Sequence, residues 1–243
     1  MIYFIGAGPG AKDLITVRGA NILRDAGIII YAGSLVNPEL VAEYASPECE
    51  LHDSSRLTLE EILALLVHGH EMNIITVRLH SGDPALYGAV REQMNYLREK
   101  KIPFEVVPGV SSLFAASAAL KTEYMIPGLV QTLIISRIEG RTPAPDNASV
   151  VLFLSAGMTE RACSELIKRG YSPDTPAAIV YRASWPDERI IRGTLKTLPG
   201  LAKGITKSAI ILAGNFLNDN YDSQSKLYDK NFSHEYRNSS LHT

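Results

Sequence analysis

The chain opens with Ile2-Tyr3-Phe4-Ile5 running straight into Gly6-Ala7-Gly8-Pro9-Gly10. Four apolar residues, rich in β-branched and aromatic side chains, read as a buried strand. A glycine-rich turn at its end sits where open α/β sheets bind ligands, outside the carboxyl ends of the strands. A dinucleotide turn is the first candidate for such a sequence. Three details count against it. Pro9 has no amide, although a dinucleotide turn must offer amides to a pyrophosphate. Ala11 stands where the third glycine would be, and the next strand ends in Tyr31-Ala32-Gly33-Ser34, without an acid for a ribose. A nicotinamide oxidoreductase stays as the alternative from a different class, and a non-catalytic binding module as a third.

Outward from this loop, short apolar runs alternate with amphipathic ones. The pattern predicts strands at 2–5, 28–31, 73–79 and 104–107, and helices at 16–26, 87–98 and 112–120. Gly27 is expected to stop the first helix by adopting positive φ. Thr58-Leu59-Glu60-Glu61 predicts a capping box, with Thr58 and Glu61 satisfying each other's amides. After a connector at 121–128, further strands are expected near 132–136, 150–154, 177–181 and 208–213, with a helix at 159–169 and a strand-like excursion at 189–195. Alternating strands and helices imply βαβ units and mainly parallel sheets. The fold class expected is therefore α/β, as two α/β domains: 1–112, 113–217, and a polar tail at 218–243.

Composition narrows the function classes. Of 243 residues, 46% are hydrophobic and 21% charged, the values of a globular chain with a sizeable core, and the net charge of −2 excludes a strongly basic nucleic-acid binder. The two cysteines, Cys49 and Cys163, fit neither a disulfide framework nor a zinc site and suit a reducing compartment. No run approaches the roughly 18 apolar residues of a membrane span, and Met1 lacks a basic leader, so a cytoplasmic location is expected.

Two more strand ends carry small polar residues. His80-Ser81-Gly82-Asp83-Pro84 follows one strand; Gly82 allows close approach of a ligand, and Asp83 can accept from a ribose or an ammonium, or simply form an Asp-Pro turn. Val107-Pro108-Gly109-Val110-Ser111-Ser112 follows another, with two hydroxyls that could equally cap the next helix. In order and spacing, the segments 6–10, 81–84 and 108–112 resemble the three signature loops of the tetrapyrrole methylase family, and the similarity runs to about Phe216. Three further segments, 31–36, 79–88 and Glu139-Gly140-Arg141-Thr142-Pro143, are similar to the branch of that family that methylates corrin-ring precursors.

The resemblance implies S-adenosylmethionine as cofactor, S-adenosylhomocysteine as product, and a cleft between two α/β domains of a non-Rossmann kind. By matching position it assigns Pro9 to the loop beside the cofactor. Ser81, Gly82, Asp83 and Leu86 fall on the loop for its ribose and amino-acid part, and Ser111 and Ser112 on a further contact loop. Leu154 and Ala183 match adenine-lining positions, with Ala213 and Gly214 as further adenine neighbours. It implies methyl transfer to a ring carbon of a vitamin B12 precursor, C11 of precorrin-4 with or without cobalt, or else another precorrin or porphyrinoid carbon. It also implies a homodimer, with no nucleic-acid or membrane partner. Two positions depart from the family: Ala11 replaces an Asp, with Asp13 following, and the stretch 141–150 is short.

A macrocycle bearing several carboxylates needs cations, and Arg forks pair bidentately with carboxylates. Arg56, Arg78, Arg137 and Arg141 are the substrate-binding candidates, with Lys12 and Arg182 also near strand ends; solvated surface charge is the alternative for each. His52, His68 and His70 show no metal-ligand spacing, and His80 adjoins the second loop. No metal site is expected. No nucleophile or triad emerges, and no catalytic residue is assigned.

Overall fold

The computed structural model describes residues 1–138, 148–218 and 225–238. By internal contacts the chain forms two units, one of Met1–Ala119 with Arg182–Arg189, the other of Leu120–Tyr181 with Ile190–Thr243. The division falls at Ala119, where the sequence suggested 112, and the short segment 182–189 returns to the first unit.

The first unit is built on β1 (Ile2–Gly6), β2 (Ile28–Tyr31), β3 (Glu50–Asp53), β4 (Thr76–His80) and β5 (Phe104–Val107). They form one sheet in the order β3-β2-β4-β1-β5, every pairing parallel. A parallel sheet must be covered on both faces. Alternate residues accordingly join two cores: Ile5, Ile29, Val77 and Leu79 pack with Leu23 and Leu40, whereas Ile2, Phe4, Ile28 and Ile30 pack with Leu66 and Leu97. The covering helices are α1 (Val17–Arg24), α2 (Pro38–Tyr44), α3 (Leu59–Glu71) and α4 (Arg91–Glu99), and α5 (Ser112–Leu120) follows β5.

Local chemistry sets most of the boundaries. Thr16 Oγ1 caps α1 by accepting from the Gly19 amide, and the Thr58/Glu61 capping box opens α3 as expected. Two boundaries differ from the sequence reading for one reason. Asn73 has φ 56 and closes the turn after α3, so β4 starts at Thr76, not 73; Tyr87 and Ala89 at φ 57 and 48 delay α4 to Arg91. Gly27 is not in the left-handed region; α1 already ends at Arg24, and a Cβ on Gly27 would lie 2.6 Å from Ile74 Cγ2. Glycine is there for space. The sequence reading passed over α2 and β3. The first is announced only by Asn37 capping and Pro38 at the first turn, and β3 is a polar edge strand.

The second unit carries β6 (Thr132–Ser136), β7 (Ala148–Leu152), β8 (Pro176–Tyr181), β9 (Arg189–Thr194) and β10 (Ala209–Ala213), with α6 (Thr159–Lys168) and the single turn α7 (Leu198–Leu201). The order is β6-β7-β10-β8-β9. β6 pairs with β7 in parallel, but β10 runs antiparallel to both β7 and β8. β6, β7 and β8 therefore share one direction, and β10, set between β7 and β8, opposes them. Its core gathers Val150, Leu152, Ile179 and Ile211 against Cys163, Leu166 and Leu198. In the expected tail, 225–238 holds a short 3-10 turn and a local fold in which the Arg237 guanidinium donates to the Leu227 and Asp229 carbonyls.

Candidate functional site

Because all five strands of the first sheet point the same way, their carboxyl ends meet along one edge, and three glycine-bearing loops interlock there. Gly8 and Gly82 form an antiparallel bridge, the Gly82 amide donating to Gly8 O at 2.8 Å and the Gly8 amide to Gly82 O at 3.2 Å. The Ala7 amide donates to His80 O at 2.7 Å. A Cβ on Gly109 would stand 2.2 Å from Gly82 O and 2.7 Å from Gly6 Cα, and one on Gly6 would stand 2.5 Å from both Gly109 Cα and Gly82 O. Only hydrogen fits at these two contacts. Gly82 and Gly8 have φ 65 and 82, conformations that favour glycine.

Asp83 fastens the arrangement. Its Oδ2 accepts from the Gly109 amide at 2.8 Å and its Oδ1 from the Ala85 amide at 2.7 Å. Expected as a direct ligand for a ribose, this carboxylate also ties the second loop to the third. Ser111, 3% exposed, accepts from the Leu113 amide and so caps α5. Ser81, Leu86 and Ser112 are half-buried.

The first loop is held from its far side as well. Asn37 Nδ2 donates to Gly10 O at 2.9 Å, Trp185 Nε1 to Pro9 O at 3.0 Å, and the Ala11 amide to Ser184 Oγ at 3.0 Å. Pro9 is thus buried with its carbonyl engaged. Ala183 is buried beside these contacts in the chain, at 6% exposure. Further along the same sheet edge, Asp53 Oδ1 accepts from the Ser55 and Gly33 amides; hydrogen bonds from Ser55, backbone first and side chain second, and then the Gly33 amide hold its carboxyl below the usual range.

The structure redistributes the expected cations. Arg78 is corrected: it is 6% exposed within β4, and its Nη1 donates to Ile30 O and Leu79 O, so it cannot serve as a solvent-facing fork. Burial pulls its pKa down to about 10. His80, two residues on, is also buried; burial first and Arg78 second depress its pKa to about 3, so it stays neutral near pH 7. Arg56 is exposed in the turn after β3, at the carboxyl edge, and Arg137 is exposed after β6. Arg141, with the motif 139–143 and most of the short stretch 141–150, lies outside the described residues. Lys12 is paired with Glu43, and Arg182 with Asp187 at 2.8 Å. Among the described residues no group of His, Cys, Asp and Glu could hold a metal ion.

In the second unit the reversed β10 separates two candidates. Leu154 follows the carboxyl end of β7, is 63% exposed and has φ 53, an uncommon state for a bulky side chain. Ala213 is paired with Val150, midway along β7, and with Ala177, near the start of β8, and is 1% exposed in the core. Leu154 and Ala213 therefore stand at opposite edges of one sheet, about four strand residues or roughly 13 Å apart along it. A placement of Ala213 beside Leu154 follows only if β10 runs parallel, and it does not. The edge shared with Leu154 is occupied by the other end of β10, preceded by Ser208 at φ 53.

A five-stranded parallel sheet with three interlocked loops at its carboxyl edge, joined to a second α/β unit, describes a class, and the comparisons give its membership. The chain belongs to the tetrapyrrole (corrin/porphyrin) methylases, whose family profile matches residues 1–199. It is 46% identical to the cobalt-precorrin-4 C(11)-methyltransferase of Methanocaldococcus jannaschii, over 98% of this chain and 96% of that protein. It is 39% identical to the precorrin-4 C(11)-methyltransferase of Pseudomonas aeruginosa, over 97% and 98%. Among solved structures it resembles a cobalamin biosynthetic enzyme, cobalt precorrin-4 methyltransferase, with a TM-score of 0.84 at 43% identity, covering 89% of this chain and 95% of that one. It also resembles the uroporphyrin-III C-methyltransferase of Thermus thermophilus in complex with S-adenosyl homocysteine, with a TM-score of 0.75 at 28% identity, over 89% and 93%.

Proposed function

We propose that this chain transfers a methyl group from S-adenosylmethionine to C11 of precorrin-4 or cobalt-precorrin-4, in cobalamin biosynthesis. The observation that carries the reading is the likeness, over nearly the whole of both chains, to relatives bearing that activity in their names. The loops support it locally: their glycines leave no room for side chains where the backbones cross, and Ser81, Leu86 and Ser112 stand half-buried beside them. These hydroxyls and the apolar Leu86 suit a ligand with a ribose, an amino-acid end and an aromatic base.

When bound, the cofactor supplies a methyl group on a sulfonium, already a good leaving group. The electron-rich macrocycle supplies the attacking carbon, so the protein needs no Ser, Cys or Lys nucleophile. Cys163 fits this picture, buried in the second core with its thiol pushed up to about 11. The protein's task is then positioning, which can supply on the order of 7 kcal/mol when reacting atoms are held near attack. Pro9, Ser81, Gly82, Asp83, Leu86, Ser111, Ser112 and Ala183 are proposed to hold the cofactor, directly or through the loop they fasten, and Leu154 to meet its adenine. Arg56, Arg137 and Arg141 are proposed for the carboxylates of the ring. A homodimer is proposed too, to be read as a mass about twice 26.6 kDa in light scattering.

The test is incubation of the purified protein with methyl-labelled S-adenosylmethionine and precorrin-4, with and without cobalt, followed by mass and carbon NMR. Label at C11 supports the reading, and the preferred metal state assigns the substrate. Label at another carbon, or none despite binding of S-adenosylhomocysteine, overturns C11 and leaves the class. Binding of NAD in place of S-adenosylhomocysteine removes the class as well.

A further inference from the structure

The segment 182–189 follows β8 in the chain yet belongs to the first unit, and it is built with unusual care. Arg182 and Ser184 both lie in the left-handed region, at φ 48 and 68. Such strain in ordinary residues persists where surrounding contacts over-determine it. The contacts are present. The Ser184 amide donates to Glu188 Oε2 at 2.7 Å, the Trp185 amide to Arg182 O at 2.9 Å, and the Glu188 amide to Trp185 O at 3.0 Å. The Arg182 guanidinium, paired with Asp187, lies 4.0 Å over the Trp185 ring. The result is a compact turn presenting one indole and one hydroxyl.

Both meet the first glycine loop. Trp185 Nε1 donates to Pro9 O, Ser184 Oγ accepts from the Ala11 amide, and the indole fills the space in front of Gly10, where an added Cβ would fall on the ring. We propose that Trp185 is a positioning residue of the methyltransferase: it fixes the Pro9–Ala11 backbone in its ligand-ready form through one N–H donor and one face of the ring. This rests on the reading of the Pro9 loop as a cofactor loop. It gives Gly10 a reason to be glycine that is independent of ligand, since Gly10 has an ordinary φ and its restriction is steric.

The test measures S-adenosylhomocysteine affinity by calorimetry, with thermal unfolding as a control, for wild type, Trp185→Phe, Gly10→Ala, Trp185→Ala and the double variant Gly10→Ala/Trp185→Ala. Trp185→Phe keeps an aromatic face for Arg182 and loses the donor together with part of the indole's volume. It is expected to bind about fivefold more weakly, equivalent to about 1 kcal/mol, and, because the lost bond lies within the protein itself, to melt a few degrees lower as well. Gly10→Ala is expected to lose tenfold or more. The double variant, in which the indole no longer occupies the space of the new methyl, is expected to bind no worse than Gly10→Ala, a non-additive cycle. Wild-type affinity in Trp185→Phe, or penalties that simply add in the double variant, overturns the proposal. A merely structural role shifts melting temperature and leaves affinity alone. A wild type that binds no S-adenosylhomocysteine fails the functional reading beneath the proposal, a result distinct from any pattern among the variants.

Discussion

The two sheets of this protein have the same number of strands and opposite lessons for where a site can form. In the first, five strands run one way, so every strand end reaches the same edge and the loops after β1, β4 and β5 can interlock. In the second, one reversed strand sends Ala213 to the edge away from Leu154. Strand direction, more than the chemistry of the residues at strand ends, decides which of them can act together.

The largest effect should come from breaking the interlock itself. Gly109→Ala places a methyl against the backbone of both other loops, so relaxation must move main chain. It is expected to lose about 3 kcal/mol, the upper part of the range for overpacking, and to abolish S-adenosylhomocysteine binding. Urea unfolding and calorimetry check both, and wild-type binding would show that the interlock does not shape the site. Asp83→Ala comes next. It leaves two backbone amides without their acceptor, and a loss of about 1–3 kcal/mol together with at least tenfold weaker binding is expected. Stability unchanged while affinity falls would mean that the carboxylate meets the ligand and does not act as a tie.

A pH titration separates the two cores. His80 in the first unit has its folded pKa depressed from 6.5 to about 3. The unfolded chain therefore binds a proton below about pH 6.5 that the folded chain refuses. The stabilisation is fully present above pH 6.5 and drains away as pH falls towards 3. From one group the slope reaches at most about 1.4 kcal/mol per pH unit. Urea unfolding at pH 7 and pH 5 should show it, and His80→Leu should flatten that part of the profile. An unchanged slope in His80→Leu would assign the loss to other groups.

The smallest effects concern the second sheet and sharpen the contrast most. Leu154→Gly relieves a left-handed leucine and should stabilise the protein by up to about 1 kcal/mol, while weakening S-adenosylhomocysteine severalfold. Ala213→Gly should change stability only. Equal losses of affinity at both positions would contradict the split edges.

Much of this was legible in the chain. The apolar run 28–31 became a strand at those residues, its three isoleucines fully buried, and 104–107 did so as the strand at the sheet's far edge, where only Val107 is buried. The three glycine loops could be picked out by composition, and their interlock explains why glycine is needed at 6 and 109. What escaped depended on partners distant in sequence. β3, with Glu50 and His52, carries no apolar pattern because it is an edge strand, and β10 reads alike in either direction. Arg78 sits among apolar residues in a strand, and its position near a strand end hid that its side chain donates to the carbonyl of Ile30, its partner on β2. Asp83 was found, but its tie to Gly109 spans 26 residues and no local rule reveals it.

Trp185 is the sole tryptophan of the chain, and it rests on the loop that begins the fold. The protein thereby carries its own optical probe. Its indole emission comes from one ring at one address, so a shift on mixing with a ligand can be ascribed to the Pro9–Ala11 loop and its clip without labelling, and unfolding followed by that emission reports the first unit while circular dichroism reports both.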